Sequence, residues 1–116
     1  MKYLCLIYET ESIYATMSKE DMGTMMAEYN TFTLEVKASG QYIAGEALKP
    51  VQTATTVRIR NGKLSMTDGP FAETKEQLGG FYMVEAKDLN DAVSIAGRIP
   101  GAKTGSIEVR PIQVFN

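Results

Sequence analysis

The run Tyr3-Leu4-Cys5-Leu6-Ile7-Tyr8 decides the fold of this chain. Its residues are all apolar or aromatic, and several are types that favour β-strands. Successive side chains of a strand point to opposite faces of a sheet, so each face receives three of these residues. Because both faces of the predicted strand are apolar, we expect another layer of structure to cover each of them.

A long helix is predicted to follow this strand after a polar connection over 9–17. Ser18 and Asp21 resemble a capping box at the start of the helix, and Gly40 stands where a helix-ending glycine belongs. Apolar side chains recur between them at helical spacing: Met22, Met25, Met26, Tyr29, Phe32 and Val36. The spacing predicts a helix of about five to six turns.

Five more strands and a second helix are predicted beyond Gly40. The strands cover 41–48, 54–60, 63–67, 80–86 and 106–115. Asn61-Gly62 is a strong hairpin signal between two of them. Asp88 opens the second helix and Pro100-Gly101 stops it. We also expect a single helical turn over 73–78, and a bulge or an edge position where the apolar phase of the last strand slips at Pro111.

The predicted order of elements is β-α-β-β-β-β-α-β. Without the central hairpin, this order is a split βαβ pattern of the ferredoxin-like kind, with both helices on one face of an antiparallel sheet. We therefore predict an α+β fold with an extra hairpin. The other apolar face of the sheet needs a cover, and the simplest cover is a second copy, which gives a dimeric α/β barrel. The alternative is a ligand pocket lined by that face within a monomer.

Composition excludes several function classes. The chain has 116 residues, which suits one domain over 1–116, and a net charge of −2, which argues against a nucleic-acid partner. The single Cys5 cannot form an internal disulfide, and the apolar run at the start is too short for a membrane span or a signal peptide. We expect a cytoplasmic protein. The chain has no histidine, so we expect no His-based catalytic triad, no metal and no cofactor.

Residues 68–82 read DGPFAETKEQLGGFY, and this stretch resembles the signature of the DGPF-motif proteins in the YCII-related superfamily. The resemblance extends over nearly the whole chain. It includes MKYL at 1–4, ATTVR at 54–58, RIP at 98–100 and EVRP at 108–111. It implies a ferredoxin-like fold that pairs into a dimeric α/β barrel, in agreement with the periodicity.

The resemblance also bears on activity. Some YCII-related enzymes use a His–Asp pair, with the His on the first helix and the Asp near the end of the second. This chain offers Tyr29 near the first place and Arg98-Ile99-Pro100 at the second, so neither member of the pair is present and an enzyme is disfavoured. The resemblance further implies, for some members, partnership with an alternative sigma factor.

The candidate site residues lie around the DGPF turn and on the predicted central strands. Asp68 and Glu73 are candidate acid–base groups, and Lys75 is a candidate holder of these carboxylates or of an anionic ligand. Tyr29 is a further catalytic candidate. We expect Tyr8 and Tyr82 to contribute to ligand binding from adjacent strands, or to reach only the rim of a dimer interface. The simpler alternative is that Asp-Gly-Pro serves as a turn and Thr74 as a cap.

Three functions remain open from the sequence. The first is binding of a small molecule in a pocket near the DGPF loop by a homodimer. The second is histidine-free acid–base catalysis on a small organic substrate. The third is an accessory role as the partner of an alternative sigma factor. A closed pocket walled by Tyr8, Tyr29 and Tyr82 favours the first two, and an exposed loop over 68–78 favours the third.

Overall fold

A computed structural model describes residues 1–116 and has one main sheet with helices on one of its faces. The strands are β1 (Lys2–Glu9), β2 (Tyr42–Ala47), β3 (Thr55–Arg60), β4 (Lys63–Asp68), β5 (Gln77–Glu85) and β6 (Ser106–Pro111). The helices are α1 (Ile13–Thr16), α2 (Lys19–Ala38) and α3 (Leu89–Ala96), with 3₁₀ turns at Val51–Thr53 and Pro100–Lys103. None of the helices has the combination of length and apolar character that a bilayer crossing requires.

The main sheet has four antiparallel strands in the order β2-β5-β1-β6. This order is that of a ferredoxin-like split βαβ fold, so the predicted fold class is confirmed. The other two strands, β3 and β4, form a separate two-stranded hairpin. The predicted extra hairpin is therefore confirmed as an insertion between β2 and β5.

Both predicted helix starts are confirmed by their capping hydrogen bonds. The backbone N–H of Asp21 donates to Ser18 Oγ over 3.0 Å at the start of α2. The backbone N–H of Asp91 donates to Asp88 Oδ1 over 2.9 Å at the start of α3. These bonds satisfy N–H groups that have no partner within the first turn of a helix.

The helical turn predicted over 73–78 is wrong. β5 begins at Gln77, and the two expected capping side chains donate to backbone carbonyls instead of accepting from N–H groups. Thr74 Oγ1 donates to the carbonyl of Glu76, and Gln77 Nε2 donates to the carbonyl of Thr74. Gln77 pairs with Glu9 of β1, so β5 begins within the segment 73–78 and its last residues are extended instead of helical.

The first and last parts of the chain differ from expectation at two further points. The connection predicted over 9–17 contains the short helix α1. The last strand ends at Pro111, not at residue 115, because its partner β1 begins at Lys2, whose carbonyl accepts the N–H of Ile112 over 2.9 Å. β6 lies at the edge of the sheet and its pairing with β1 has no register shift, so the predicted edge position is confirmed and no bulge is present at Pro111.

The core lies between the inner face of the sheet and the helices α2 and α3. Alternate residues of β1 face inward, and their buried neighbours come from both helices and from β5. The buried apolar residues are Tyr3, Cys5, Ile7, Phe32, Val36, Val84, Ala86, Ala92, Ile95, Ala96 and Ile99. Burial raises the pKa of the Cys5 thiol to about 11, which keeps it in the unreactive protonated form at neutral pH.

The outer face of the sheet is apolar and has no covering layer. Leu4 pairs with Met83 and Leu6 with Phe81 across β1 and β5, and all four side chains are only partly buried. The molecule measures 48 × 48 × 19 Å, and a thickness of this size corresponds to one sheet and one helical layer, since such layers pack about 10 Å apart. The apolar outer face of β1 leads us to expect a covering layer on that side, and the single chain does not provide one.

The hairpin β3–β4 has an exposed apolar stripe. Its tight turn uses Asn61 and Gly62, whose φ angles of 54° and 76° fit the two-residue turn that the sequence predicts. Its apolar side chains Val57, Ile59, Leu64 and Met66 are 55%, 65%, 64% and 69% exposed. The radius of gyration of 16.3 Å exceeds the roughly 13 Å expected for a compact chain of this length.

Candidate functional site

A cleft lies on the helical side of the sheet, beside the edge strand β2 and its neighbour β5. Its volume is about 920 Å³, which is within the range of ligand sites. Gly45, Gly79, Gly80 and Tyr82 line it from the strands, whereas α1 and α2 contribute Tyr14, Met25, Met26, Tyr29 and Thr33. A Cβ at Gly45 would lie 2.8 Å from Tyr82 Cδ1, so the Tyr82 ring packs directly on β2 because that residue is glycine.

Glu9 places a buried carboxylate in this cleft. It ends β1 and continues the inward-facing series of Tyr3, Cys5 and Ile7, and it is only 5% exposed. The Tyr14 hydroxyl of α1 donates to Glu9 Oε2. A buried carboxylate needs such a partner because its desolvation is costly. The short helix α1 thus serves to bring a hydrogen-bond donor onto Glu9.

Gly101 packs against both Glu9 and Tyr29. A Cβ at Gly101 would lie 2.6 Å from Glu9 Oε1 and 2.8 Å from Tyr29 Oη. Any residue larger than glycine at this position would displace one of these two groups. The glycine that was predicted only to stop the second helix therefore also makes room for the carboxylate and the phenol at the end of the cleft.

Tyr82 is held by hydrogen bonding and by aromatic packing. Its hydroxyl lies 2.8 Å from Thr33 Oγ1, and Thr33 Oγ1 donates to the carbonyl of Tyr29 over 2.9 Å. Since a threonine hydroxyl has one proton, Tyr82 is the donor in the bond to Thr33. The ring of Phe32 packs edge-on against Tyr82 with centroids 5.0 Å apart, which fixes the orientation of the Tyr82 ring.

The charged groups of the cleft are all acidic. Glu9 and Glu11 line it, and no lysine or arginine does. Glu46 also borders it, but it pairs with Phe81, so its side chain is directed to the outer face of the sheet. Glu11 also has a structural role, because its carboxylate accepts the backbone N–H of Val51 over 3.1 Å. No group of three His, Cys, Asp or Glu side chains is arranged so that it could hold a metal ion.

The tyrosines near Glu9 have raised pKa values. Burial raises the pKa of Tyr14, and its hydrogen bond to Glu9 and the charge of Glu9 raise it further. Burial also raises the pKa of Tyr29 to about 12, with the charge of Glu9 acting in the same direction. Burial raises the pKa of Tyr82 as well. All three phenols therefore keep their protons at neutral pH and can donate hydrogen bonds.

The predicted tyrosines divide between the two faces of the sheet. Tyr29 and Tyr82 line the cleft. Tyr8 does not, because its neighbours Ile7 and Glu9 are the residues of β1 that face the helices, and alternation directs Tyr8 to the outer face. The structure therefore brings Tyr29 and Tyr82 together and places Tyr8 elsewhere.

The residues predicted around the DGPF turn lie outside the cleft. Asp68 ends β4 opposite Thr55, and Asp68, Glu73 and Lys75 are all exposed. Lys75 forms no ion pair with either carboxylate. The backbone carbonyl of Lys75 accepts from Thr10 Oγ1 over 3.3 Å, so the loop borders the cleft through its backbone. A ligand role for these three side chains stays a prediction.

Glu9 and Tyr14 were missed by the sequence prediction. The signal for Glu9 was present, because the alternation that directs Tyr3, Cys5 and Ile7 to one face directs Glu9 to the same face. A carboxylate in phase with a buried series is unusual, since glutamate is almost never fully buried without a partner. Tyr14 had no comparable signal, because the four-residue helix that positions it has no clear pattern.

The raised pKa values predict that the protein loses stability at high pH. The unfolded chain releases its tyrosine protons near pH 10, whereas the folded protein retains those of Tyr14, Tyr29 and Tyr82. The unfolded state then binds fewer protons, so the free energy of unfolding falls as pH rises through the folded pKa, about 12 for Tyr29. Urea denaturation at several pH values between neutrality and pH 11 measures this fall.

The variant Tyr14→Phe tests whether the Tyr14 phenol causes part of this loss of stability at high pH. At neutral pH it leaves Glu9 Oε2 without its donor and is expected to cost about 1–3 kcal/mol, and above pH 10 its stability falls less steeply than that of the native protein. Tyr8→Phe is the matched control, because that residue lies on β1 outside the cleft. Equal pH slopes for Tyr14→Phe and the native protein would contradict the assignment.

Comparison with known proteins identifies a family and assigns no activity. The YCII-related domain family matches residues 1–116. The chain is similar to the uncharacterized protein R00369 of Rhizobium meliloti (strain 1021), with 36% identity over 117 residues that cover 99% of this chain and 94% of that protein. On the four-stranded ferredoxin-like sheet and this full-length match, the chain belongs to the YCII-related domain family.

Proposed function

We propose that this protein binds a small organic molecule in the cleft beside Glu9. The cleft has a ligand-sized volume of about 920 Å³ and mostly apolar walls, which provide the contact area on which small-molecule affinity depends. The observation that carries the proposal is the buried Glu9 carboxylate, 5% exposed at the end of an apolar cleft. A fold keeps such a costly group most readily where it has a task.

Gly101→Ala tests this site. The added methyl group would lie 2.6 Å from Glu9 Oε1 and 2.8 Å from Tyr29 Oη, so it displaces both polar groups at the end of the cleft. We expect ligand affinity to fall at least about tenfold, a change of about 1.4 kcal/mol. Native mass spectrometry of the purified protein identifies a co-purifying molecule, and isothermal titration calorimetry compares its affinity for the variants.

Gly23→Ala is the matched control for this substitution. Nothing lies within 4 Å of a Cβ at Gly23, and alanine is favoured over glycine within the helix α2. We expect it to keep the native affinity and to raise the melting temperature. Full ligand affinity in Gly101→Ala, with the fold intact by circular dichroism, would refute binding beside Glu9.

We further propose that the protein is a homodimer paired through the outer face of the sheet, as in a dimeric α/β barrel. The apolar pairs Leu4–Met83 and Leu6–Phe81 need a covering layer. The exposed stripe of the hairpin β3–β4 gives a second copy additional apolar surface to contact. A two-fold pairing of identical sheets covers this face in both copies at once.

Lysine at positions 6 and 83 tests the homodimer. The variant Leu6→Lys/Met83→Lys buries charges in the proposed interface, so we expect a monomer by size-exclusion chromatography with light scattering, while the native protein is a dimer. Leu34→Lys is the control, because Leu34 is 68% exposed on α2 and stays outside the interface. A native monomer, or an intact dimer in the double variant, would contradict the proposal.

Acid–base chemistry on the bound molecule is a second candidate function. Glu9 provides a largely desolvated carboxylate that can accept a proton, and the adjacent Tyr14 holds its proton because burial and Glu9 raise its pKa. This pair needs no histidine. Proton NMR of the ligand during incubation with the protein separates the two functions, since turnover changes the ligand spectrum and binding alone does not.

The exposed DGPF loop supports a third candidate, contact with an alternative sigma factor. Phe71, in the middle of the motif, is 78% exposed, and exposed aromatic residues often anchor protein interfaces. If the loop binds an alternative sigma factor of the same genome, Phe71→Ser weakens a measured interaction at least about tenfold. Phe115→Ser, at a site 87% exposed outside the loop, leaves it unchanged. Equal binding by both variants would refute this role.

A further inference from the structure

We infer that the cleft selects organic cations, in particular amines carried on an apolar or aromatic body. This inference rests on the proposed binding function and specifies its ligand class. Three observations support it: the charge balance of the cleft, the open oxygen of Glu9 and the aromatic lining.

The charge balance of the cleft favours a positive ligand. The acidic side chains on the helical side of the sheet that line it are Glu9 and Glu11, and no lysine or arginine lines it. In a cleft with low-dielectric walls, like charges repel and opposite charges attract more strongly than in bulk water. A carboxylate or phosphate ligand would meet Glu9 and Glu11 without a counter-charge from the lining, whereas an ammonium group would meet two favourable partners.

The Glu9 carboxylate has one oxygen that the protein leaves open. Tyr14 donates to Oε2, and no hydrogen bond from the protein reaches Oε1. Every fully buried side-chain nitrogen or oxygen in the molecule has a hydrogen-bond partner, so Oε1, which has none, keeps some solvent exposure. Because Glu9 lines the cleft, we infer that a ligand there can reach this oxygen. An ionised carboxylate only accepts hydrogen bonds. The ligand group that matches Oε1 is therefore a donor, and a charged donor makes the stronger bond.

Tyrosine rings line the cleft, and two of them, Tyr14 and Tyr29, lie near this carboxylate. Tyr42 and Tyr82 also line the cleft, and the faces of such rings attract cations. Lys37 Nζ lies 4.9 Å from the centroid of the Tyr42 ring, so the tyrosines left for a ligand cation are Tyr14, Tyr29 and Tyr82. Acidic groups and tyrosine rings together form the kind of surface that recognises ammonium groups, and the apolar walls accommodate the body of the ligand.

The test uses matched compounds that differ only in head-group charge. Sets of aryl amines, alcohols and carboxylic acids, such as tryptamine, tryptophol and indole-3-propionate, are titrated into the full-length protein at neutral pH and followed by calorimetry and ligand-observed NMR. We expect each amine to bind at least about tenfold more tightly than its alcohol, and each acid to bind most weakly. Gly101→Ala shows whether the binding is in the cleft.

Glu9→Gln identifies the group responsible for the preference. It keeps the shape of the side chain and an acceptor for Tyr14 but removes the charge, so the amine-to-alcohol affinity ratio is expected to fall toward one while alcohol binding persists. Glu108→Gln is the control, because Glu108 on β6 pairs with the outward-facing Leu6 and does not line the cleft. This control is expected to keep the native ratio.

The outcomes separate the two proposals. Alcohols or acids that bind as tightly as the amines, and lose affinity in Gly101→Ala, overturn the cation preference and keep the binding function. Compounds of every charge class that fail to bind overturn both proposals. A native amine preference that survives in Glu9→Gln overturns the role of Glu9 in cation selection.

Discussion

The central strand β1 is the constraint on which the rest of the structure depends. It is hydrogen-bonded on both sides, to β5 and to β6, and its side chains alternate between an inner and an outer face. The inner series Tyr3, Cys5 and Ile7 forms the middle of the core. The same alternation places Glu9 at the end of the core, where Glu9 lines the cleft. Core and cleft are thus two parts of one inward-facing series.

The site combines a residue fixed by strand pairing in the sheet with a side chain from the short helix α1. Strand pairing fixes the position of Glu9, because a shift of register by one residue would move it to the outer face. Tyr14 comes from the short helix α1, which carries no buried residue, and its hydrogen bond to Glu9 ties that helix to the core. Removing either partner would leave a buried polar group unsatisfied, so the pair acts as a unit.

The single chain leaves unusually large apolar surfaces in solvent. Only 14 of its 116 residues are buried, and the molecule has one helical layer on one face of a sheet whose two faces are apolar. The projecting hairpin adds four more exposed apolar side chains. These features have a common explanation in the proposed pairing of two copies, since a second sheet would supply the layer that the single chain lacks.

Local sequence patterns were sufficient for most of the fold. Alternation in 3–8, the caps Ser18 and Asp88, and the Asn61-Gly62 turn act over a few residues. The sequence by itself therefore determined the six strands, the helices α2 and α3 and the ferredoxin-like class, but not the short helix α1. The placement of Tyr29 on the inward side of α2 followed from the same helical spacing. The resemblance carried by residues 68–82 and their flanking segments also predicted the YCII-related family, whose model matches residues 1–116.

Only the tertiary structure decided where the candidate site lies. The DGPF residues Asp68, Glu73 and Lys75 are close in sequence, but the end of β4 and the loop after it leave them exposed. Glu9, Tyr14, Tyr29 and Gly101 come from four separate segments, and they meet because β1, α1, α2 and the turn after α3 pack together. A site of this kind depends on contacts between residues that are far apart in the sequence. Local periodicity predicts the strands and helices that carry these residues, but it contains no information on which side chains meet. The geometry of the site therefore follows only from the packing of the whole fold.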